Sequence, residues 1–207
     1  MQFPLIYHLG SIKSNLSVFK MRSIKVSLFG PSDALQSQFI ERFVYNRYND
    51  PYDRTIQDAY FKNFEDNGNL IRMEILETQI FEDFEATMFN FARSSDGIIL
   101  IYSIENWESY QSILHYHNKI LQATEGEKKP MILCGNFCDR LNTRRVTYEE
   151  GMALANQIGC PFFETSPLNN INVSESFECI KDLIIKREED VTIVNHQSIR
   201  QKDFCRV

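Results

Sequence analysis

The segment Gly30-Pro31-Ser32-Asp33-Ala34-Leu35-Gln36-Ser37 has the residue types and spacing closest to a phosphate cradle, the pattern G-x-x-x-x-G-K-[ST]. The first Gly and the final Ser are in register, but Leu35 stands for the second Gly and Gln36 for the Lys. The pattern needs that Gly for close backbone approach to the phosphates, and the Lys for its charge at their oxygens. With two of four signature positions changed, the segment alone reads as a helix entry. Two further polar groups are Asn136-Phe137-Cys138-Asp139 and Glu164-Thr165-Ser166. Alone, Asn and Asp in such places merely shape a loop after a strand. The five cysteines are odd in number, and Cys134 and Cys138 have no second close Cys or His pair to complete a zinc site. Reduced, buried thiols are the expectation. His115, His117 and His196 read as surface or packing residues.

These loops need elements to hold them. Ile24–Phe29 reads as a strand ending at Gly30, and Ser37–Tyr45 as a helix. Ala59–Glu65 and Asn69–Leu76 read as a hairpin turning at Asp66-Asn67-Gly68. Gly97–Tyr102 and Pro130–Cys134 are continuous apolar runs, suited to strands covered on both faces. Trp107–Leu121 and Tyr148–Ile158 are helical, the latter stopping at Gly159. Pro161–Glu164 is a short strand, and Val173–Arg187 a helix with Val173, Phe177, Ile180 and Ile184 on one face. The order β-α-β-β-α-β-α-β-α-β-α implies a mostly parallel sheet with helices on both faces. Ligands of such sheets bind at the carboxyl ends of the strands, where the polar loops fall. The 207 residues suit one domain with tails: an extension over 1–22, a domain over 23–187 and a flexible polar tail over 188–207. Met21 reads as an alternative start. Twenty-two basic against 28 acidic residues give a net charge of −6, which argues against nucleic-acid binding through general basicity. No apolar run approaches the length of a membrane span, and the N-terminus lacks the basic region of a secretory signal.

Taken in order, the loops after Gly30, at 52–60, at Asn136–Asp139 and at Glu164–Ser166 resemble the Ras family of small GTPases, as does Ile75–Phe84 (ILETQIFEDF). The resemblance covers residues 24 to about 186. It implies a Ras-like α/β fold of the P-loop NTPase type, with a mostly parallel six-stranded sheet, one antiparallel edge strand and helices on both faces. It places Gly30, Gln36, Ser37, Asn136, Asp139 and Ser166 around a nucleotide, with GTP or GDP and Mg2+ as cofactors if the site works and none if it does not. Ser37 and Thr55 stand at the magnesium positions, and hydroxyls suit that hard cation. Asn136 and Asp139 stand where the family reads guanine, where a carboxylate accepts two ring N–H groups. Thr55-Ile56-Gln57-Asp58-Ala59-Tyr60 is similar to the effector loop, so Tyr52, Ile56, Asp58 and Tyr60 are the expected effector surface, with protein partners meeting the 52–65 loop and strand.

Against the same family the losses are many. Gln36 removes a cation, Leu35 puts a side chain where backbone amides should approach phosphate, and Asp33 adds a negative charge. Glu77 replaces the Asp that holds magnesium through water and is one methylene longer. Ile80 replaces the Gly that grips the terminal phosphate, and Phe81 the Gln that orients the attacking water. Phe137, Pro167 and Leu168 replace the Lys of N-K-x-D and the Ala and Lys of S-A-K, and Pro has no N–H to donate to the base. Three such losses at roughly 2 kcal/mol each would sum to about 6 kcal/mol, over four decades in affinity.

No catalytic residue is therefore assigned, and no meaningful GTP hydrolysis is expected. Two functions compete: a pseudo-GTPase acting through protein–protein interaction, with weak or absent nucleotide binding, and a GTP/GDP switch with very slow hydrolysis. A structural subunit of a larger complex is a third. Phe204 stands where a prenylation box needs Cys, and no polybasic run precedes it. The expectation is a cytoplasmic protein without an autonomous membrane anchor.

Overall fold

A computed structural model describes residues 21–48, 59–66, 69–78 and 85–204. Its strands are β1 (Arg22–Phe29), β2 (Ala59–Asp66), β3 (Asn69–Glu77), β4 (Gly97–Ser103), β5 (Met131–Asn136) and β6 (Phe162–Thr165). Its α-helices are α1 (Gln36–Tyr45), α2 (Glu85–Ser94), α3 (Trp107–Ala123), α4 (Tyr148–Ile158) and α5 (Val173–Phe204). One sheet holds the six strands in the order β2-β3-β1-β4-β5-β6. The β2–β3 pair is antiparallel, and every other pair is parallel.

The central strands are apolar because both faces are covered. All of β4, GIILIYS, and all of β5, MILCGN, are buried. Side chains alternate across the sheet, so β4 supplies both cores. Ile99 and Ile101 join Phe39, Ile40 and Phe43 of α1 and Phe177, Ile180 and Ile184 of α5. Ile98, Leu100 and Tyr102 join Met88 and Ala92 of α2, Ile113 and Ile120 of α3, and Leu154 of α4. The first core holds a run of rings: Phe43 stacks on Phe177 at 3.9 Å and 9°, with Phe39 and Phe64 beyond.

Helix ends follow local chemistry. The Asn106 side chain accepts from the backbone N–H of Glu108 and Ser109 at the start of α3. Thr147 and Glu150 form a reciprocal capping box on α4, which ends on Gly159 at φ 82°. Several element ends differ from expectation, and two of these have a clear cause. Strand β5 runs past Cys134 to include Gly135 and Asn136, because its parallel pairing continues to Ser103 on one side and Thr165 on the other. Helix α5 runs past Arg187 to Phe204. The stretch after 187 has no apolar period, but it also has no Gly or Pro to stop a helix already nucleated on the core. Residues 1–20 and the hairpin tip at 67–68 lie outside the described residues. Among the described residues, no helix is long and apolar enough to cross a membrane. No group of three or more His, Cys, Asp or Glu there could hold a metal ion.

Candidate functional site

Parallel strands bring their carboxyl ends to one edge of the sheet, so the loops after β1, β5 and β6 meet there. At the end of β1, Gly30 faces the β4 backbone so closely that an added Cβ would lie 1.9 Å from the Ile101 carbonyl oxygen. The chain then makes a 3-10 turn, Ser32–Ala34, and enters α1 through Leu35. Leu35 sits at φ 47°, ψ 59°, the left-handed region that the Gly of the phosphate-loop pattern adopts without cost. Its side chain packs against the core under α2 and α3, where the sequence had suggested an obstacle over the loop.

The difficulty for a phosphate lies in the backbone and its neighbours. The N–H of Ala34 donates to the Pro31 carbonyl at 3.1 Å, and that of Leu35 to the Ser32 carbonyl at 3.2 Å. Gln36 is buried, and its Nε2 donates to the Gly30 carbonyl at 2.8 Å, fastening the loop's end to its beginning. Its Oε1 is buried and accepts from no group among the described residues. The Ser37 hydroxyl donates to Glu77 Oε1 at 2.7 Å. Beside it, the Thr78 hydroxyl donates to the Leu28 carbonyl and ties the end of β3 to β1.

Asn136 joins three loops. It is fully buried at the end of β5. Its Nδ2 donates to the Ala34 carbonyl at 2.8 Å, and its Oδ1 accepts from the Thr165 hydroxyl at 3.1 Å. The Cys138 N–H donates to the Thr165 carbonyl at 3.0 Å, holding the 136–139 turn against the end of β6. Phe137 is buried at φ 70°, with the Arg140 guanidinium 4.3 Å from its ring centre. Arg140 pairs with Glu105 at 2.7 Å. Asp139 Oδ1 is buried with no hydrogen-bond donor among the described residues.

Ser166 is buried and its polar atoms are committed. Its N–H and C=O pair with Ile171 at 3.1 and 3.0 Å, and its Oγ accepts from the Asn169 N–H at 3.1 Å. The carbonyls of the next two residues face α1: Arg42 donates through Nε to Pro167 at 2.6 Å and through Nη2 to Leu168 at 3.2 Å. Neither Ser166 nor Pro167 has a backbone N–H left for a ligand.

The structure thus gathers Gly30, Gln36, Ser37, Asn136, Asp139 and Ser166 at one edge. Tyr52, Thr55, Ile56 and Asp58 lie outside the described residues, as do positions 80 and 81. Tyr60 corrects the sequence reading. Its side chain is 1 % exposed, and burial with Glu77 and Glu41 nearby pushes its phenol well above the ordinary value. It packs on Tyr45 and presents nothing to a partner. The exposed aromatic of β2 is its neighbour Phe61, 45 % exposed, with the Arg72 guanidinium 4.3 Å from its ring centre. Alternation along a strand carries this signal, since adjacent residues face opposite ways. Arg42 had no sequence signal, because its partners are backbone carbonyls some 125 residues away.

GTP with magnesium, the group implied by this loop order, fits one half of the site. The base side offers a buried carboxylate oxygen in want of N–H donors. On the phosphate side the Ala34 and Leu35 N–H groups, the Gln36 side-chain amide and the Ser37 hydroxyl are directed at the protein itself.

The Ras family profile matches residues 25–186. Ras-like protein rasS of Dictyostelium discoideum is 33 % identical over 171 residues, spanning 82 % of this chain and 88 % of that protein. Ras-like protein 1 of Saccharomyces cerevisiae is 31 % identical over 164 residues, spanning 79 % of this chain and 53 % of that protein.

Proposed function

The chain belongs to the Ras family, and from that membership we propose that it is a pseudo-GTPase: a signalling-type interaction module that binds guanine nucleotide weakly or not at all and does not hydrolyse it. One observation carries the reading, the phosphate loop closed on itself by the Ala34 and Leu35 N–H groups and the Gln36 amide. Phosphate binding at such a loop depends on backbone N–H groups that point at the ligand and on a cation beside them. Here the N–H groups of Ala34 and Leu35 serve the loop, and Gln36 is neutral. Without a nucleotide cycle, what acts is the surface. Protein effectors meeting the 52–65 loop and strand in the cytoplasm are the corresponding partners, with Phe61 and Arg72 as the exposed contacts on β2 and β3.

The test is the nucleotide content of protein purified with magnesium present, denatured and run on a nucleotide-calibrated anion-exchange column. The expected chromatogram lacks a stoichiometric GDP or GTP peak. A one-to-one peak would instead support the second reading, a GTP/GDP switch with very slow hydrolysis. That reading is favoured by Asn136, which still ties the loop after β1 to the end of β6.

A further inference from the structure

Helix α5 has a second face that the core does not use. Val173, Phe177, Ile180 and Ile184 turn one side of it inward. On the other side Glu175, Glu178, Cys179, Asp182, Leu183 and Lys186 line a shallow open groove of about 370 Å³. Their spacing, i, i+3, i+4, i+7, i+8 and i+11, is that of one helical face. Cys179 and Leu183 are half-buried against the core and form an apolar floor. Glu175, Glu178 and Asp182 stand exposed along it, with Lys186 at one end, so the groove is acidic by three carboxylates to one ammonium.

The start of β1 shows what can reach this groove. The guanidinium of Arg22, the first residue of β1, pairs with Glu188, two residues beyond Lys186 on α5. Residues 1–20 therefore join the described fold beside this helix. From Glu188 back to Glu175 the helix runs about 20 Å at 1.5 Å per residue. Residues 13–20 span about 12 Å as a helix and about 26 Å extended, so the distance is covered in either form.

The segment complements the groove in charge and pattern. Residues 1–20 contain Lys13 and Lys20 and no Asp or Glu, in a chain that carries 28 acidic residues against 22 basic. Ile12, Leu16 and Phe19 recur at the spacing of an apolar helical stripe, and Lys13 and Lys20 fall on one edge of that stripe. A segment tethered next to its site is held there at a roughly millimolar effective concentration, so weak contacts suffice within one chain. The same contacts between separate chains have no such help.

We propose that residues 12–20 dock on the outward face of α5 of their own chain, with Leu16 and Phe19 over Cys179 and Leu183 and with Lys13 beside Glu178 and Asp182. Apolar contact supplies the attraction, and the charges set the register, because exposed ion pairs contribute little by themselves. The inference stands apart from nucleotide binding. A chain begun at Met21 lacks the segment and presents the α5 groove to other proteins, so the two starts would give forms that differ in one interaction surface.

The experiment is hydroxyl-radical footprinting of the full chain, read at Leu183 by peptide mass spectrometry, with the exposed Leu141 as internal standard and the buried Leu154 as a report on the fold. Lys13→Glu combined with Leu16→Ser is expected to oxidise Leu183 at least threefold faster than the unaltered chain, with Leu154 still protected. Equal Leu183 rates in the two proteins would overturn the proposal. Glu178→Lys combined with Asp182→Lys is expected to open Leu183 similarly, and adding Lys13→Glu to that pair to restore protection. Failure of the third change to restore it would overturn the pairing. Carbodiimide cross-linking of an equal mixture of 15N-labelled and unlabelled chains identifies the occupant. Links from Lys13 to Glu178 or Asp182 are expected only between peptides of one isotope. Links in mixed-isotope pairs would place a second copy on the groove and overturn the proposal.

Discussion

Gly30 shows how one residue can serve a motif and a fold together. As the first residue of a phosphate-loop pattern it looks functional, yet in a loop turned on itself it is still needed, because the Ile101 carbonyl lies 1.9 Å from where a Cβ would stand. The closest contact is a backbone carbonyl, which cannot rotate away. Gly30→Ala is expected to destabilise the protein by about 3 kcal/mol, read as a lower urea midpoint, whether or not nucleotide is present. His117 on α3 is governed by burial, which holds its imidazole below the ordinary value. The unfolded chain therefore takes up a proton more readily than the fold. The associated stability is present above about pH 6.5 and is lost as pH falls toward the folded value. His117→Gln, neutral throughout, is expected to show a smaller drop in melting temperature between pH 7.5 and 5.5, and equal drops in both proteins would refute this. At this scale the sequence was legible as to place, as with Gly30, Asn136 and Asp139, which stand at the sheet edge where the loops meet. It was not legible where direction decides: Tyr60 matches a surface motif letter by letter and points into the core.

Elements were more legible than residues because their signals are periodic. The continuous apolar runs became β4 and β5, and Tyr148–Ile158 became α4 with both ends as read. The cap of α4 supports a direct test. Thr147 accepts from the Glu150 N–H, while Glu150 Oε2 takes the Thr147 N–H at 2.8 Å. Thr147→Ala is expected to cost about 1 kcal/mol in chemical denaturation, while Glu150→Gln, which can still complete the box, should cost much less. Helix α5 was misjudged at its end because a polar stretch and a polar helix have the same composition. What distinguishes them is the absence of a breaker and an anchored first half, here Phe177, Ile180 and Ile184 in the core. The 3-10 turn at Ser32–Ala34 was hidden for a related reason: a phosphate loop and a closed turn are spelled by nearly the same residues, and only the N–H partners tell them apart.

At the scale of the whole molecule, the described residues form one sheet between two cores, and the mostly parallel sheet followed from the order of elements. What the order could not show is how the far edge is fastened. That is the work of Asn136, whose amide joins Ala34 to Thr165 across the ends of β5 and β6. Asn136→Ala leaves the Ala34 carbonyl and the Thr165 hydroxyl unsatisfied inside the protein, and a loss of about 2–4 kcal/mol is expected in equilibrium unfolding. The same amide also keeps time. Its bond to Ala34 spans 102 residues and cannot form until the loop after β1 lies beside the end of β5, while its bond to Thr165 spans 29 and closes as β6 pairs with β5. A bond of that reach is expected to close after the folding barrier has been crossed, so a variant lacking it should fold at nearly the normal rate and come apart faster. In a stopped-flow chevron the Asn136→Ala arms should separate on the unfolding side. On that outcome, the residue that stands in the sequence as a reader of ligand would be, in the history of each molecule, a late latch to shut.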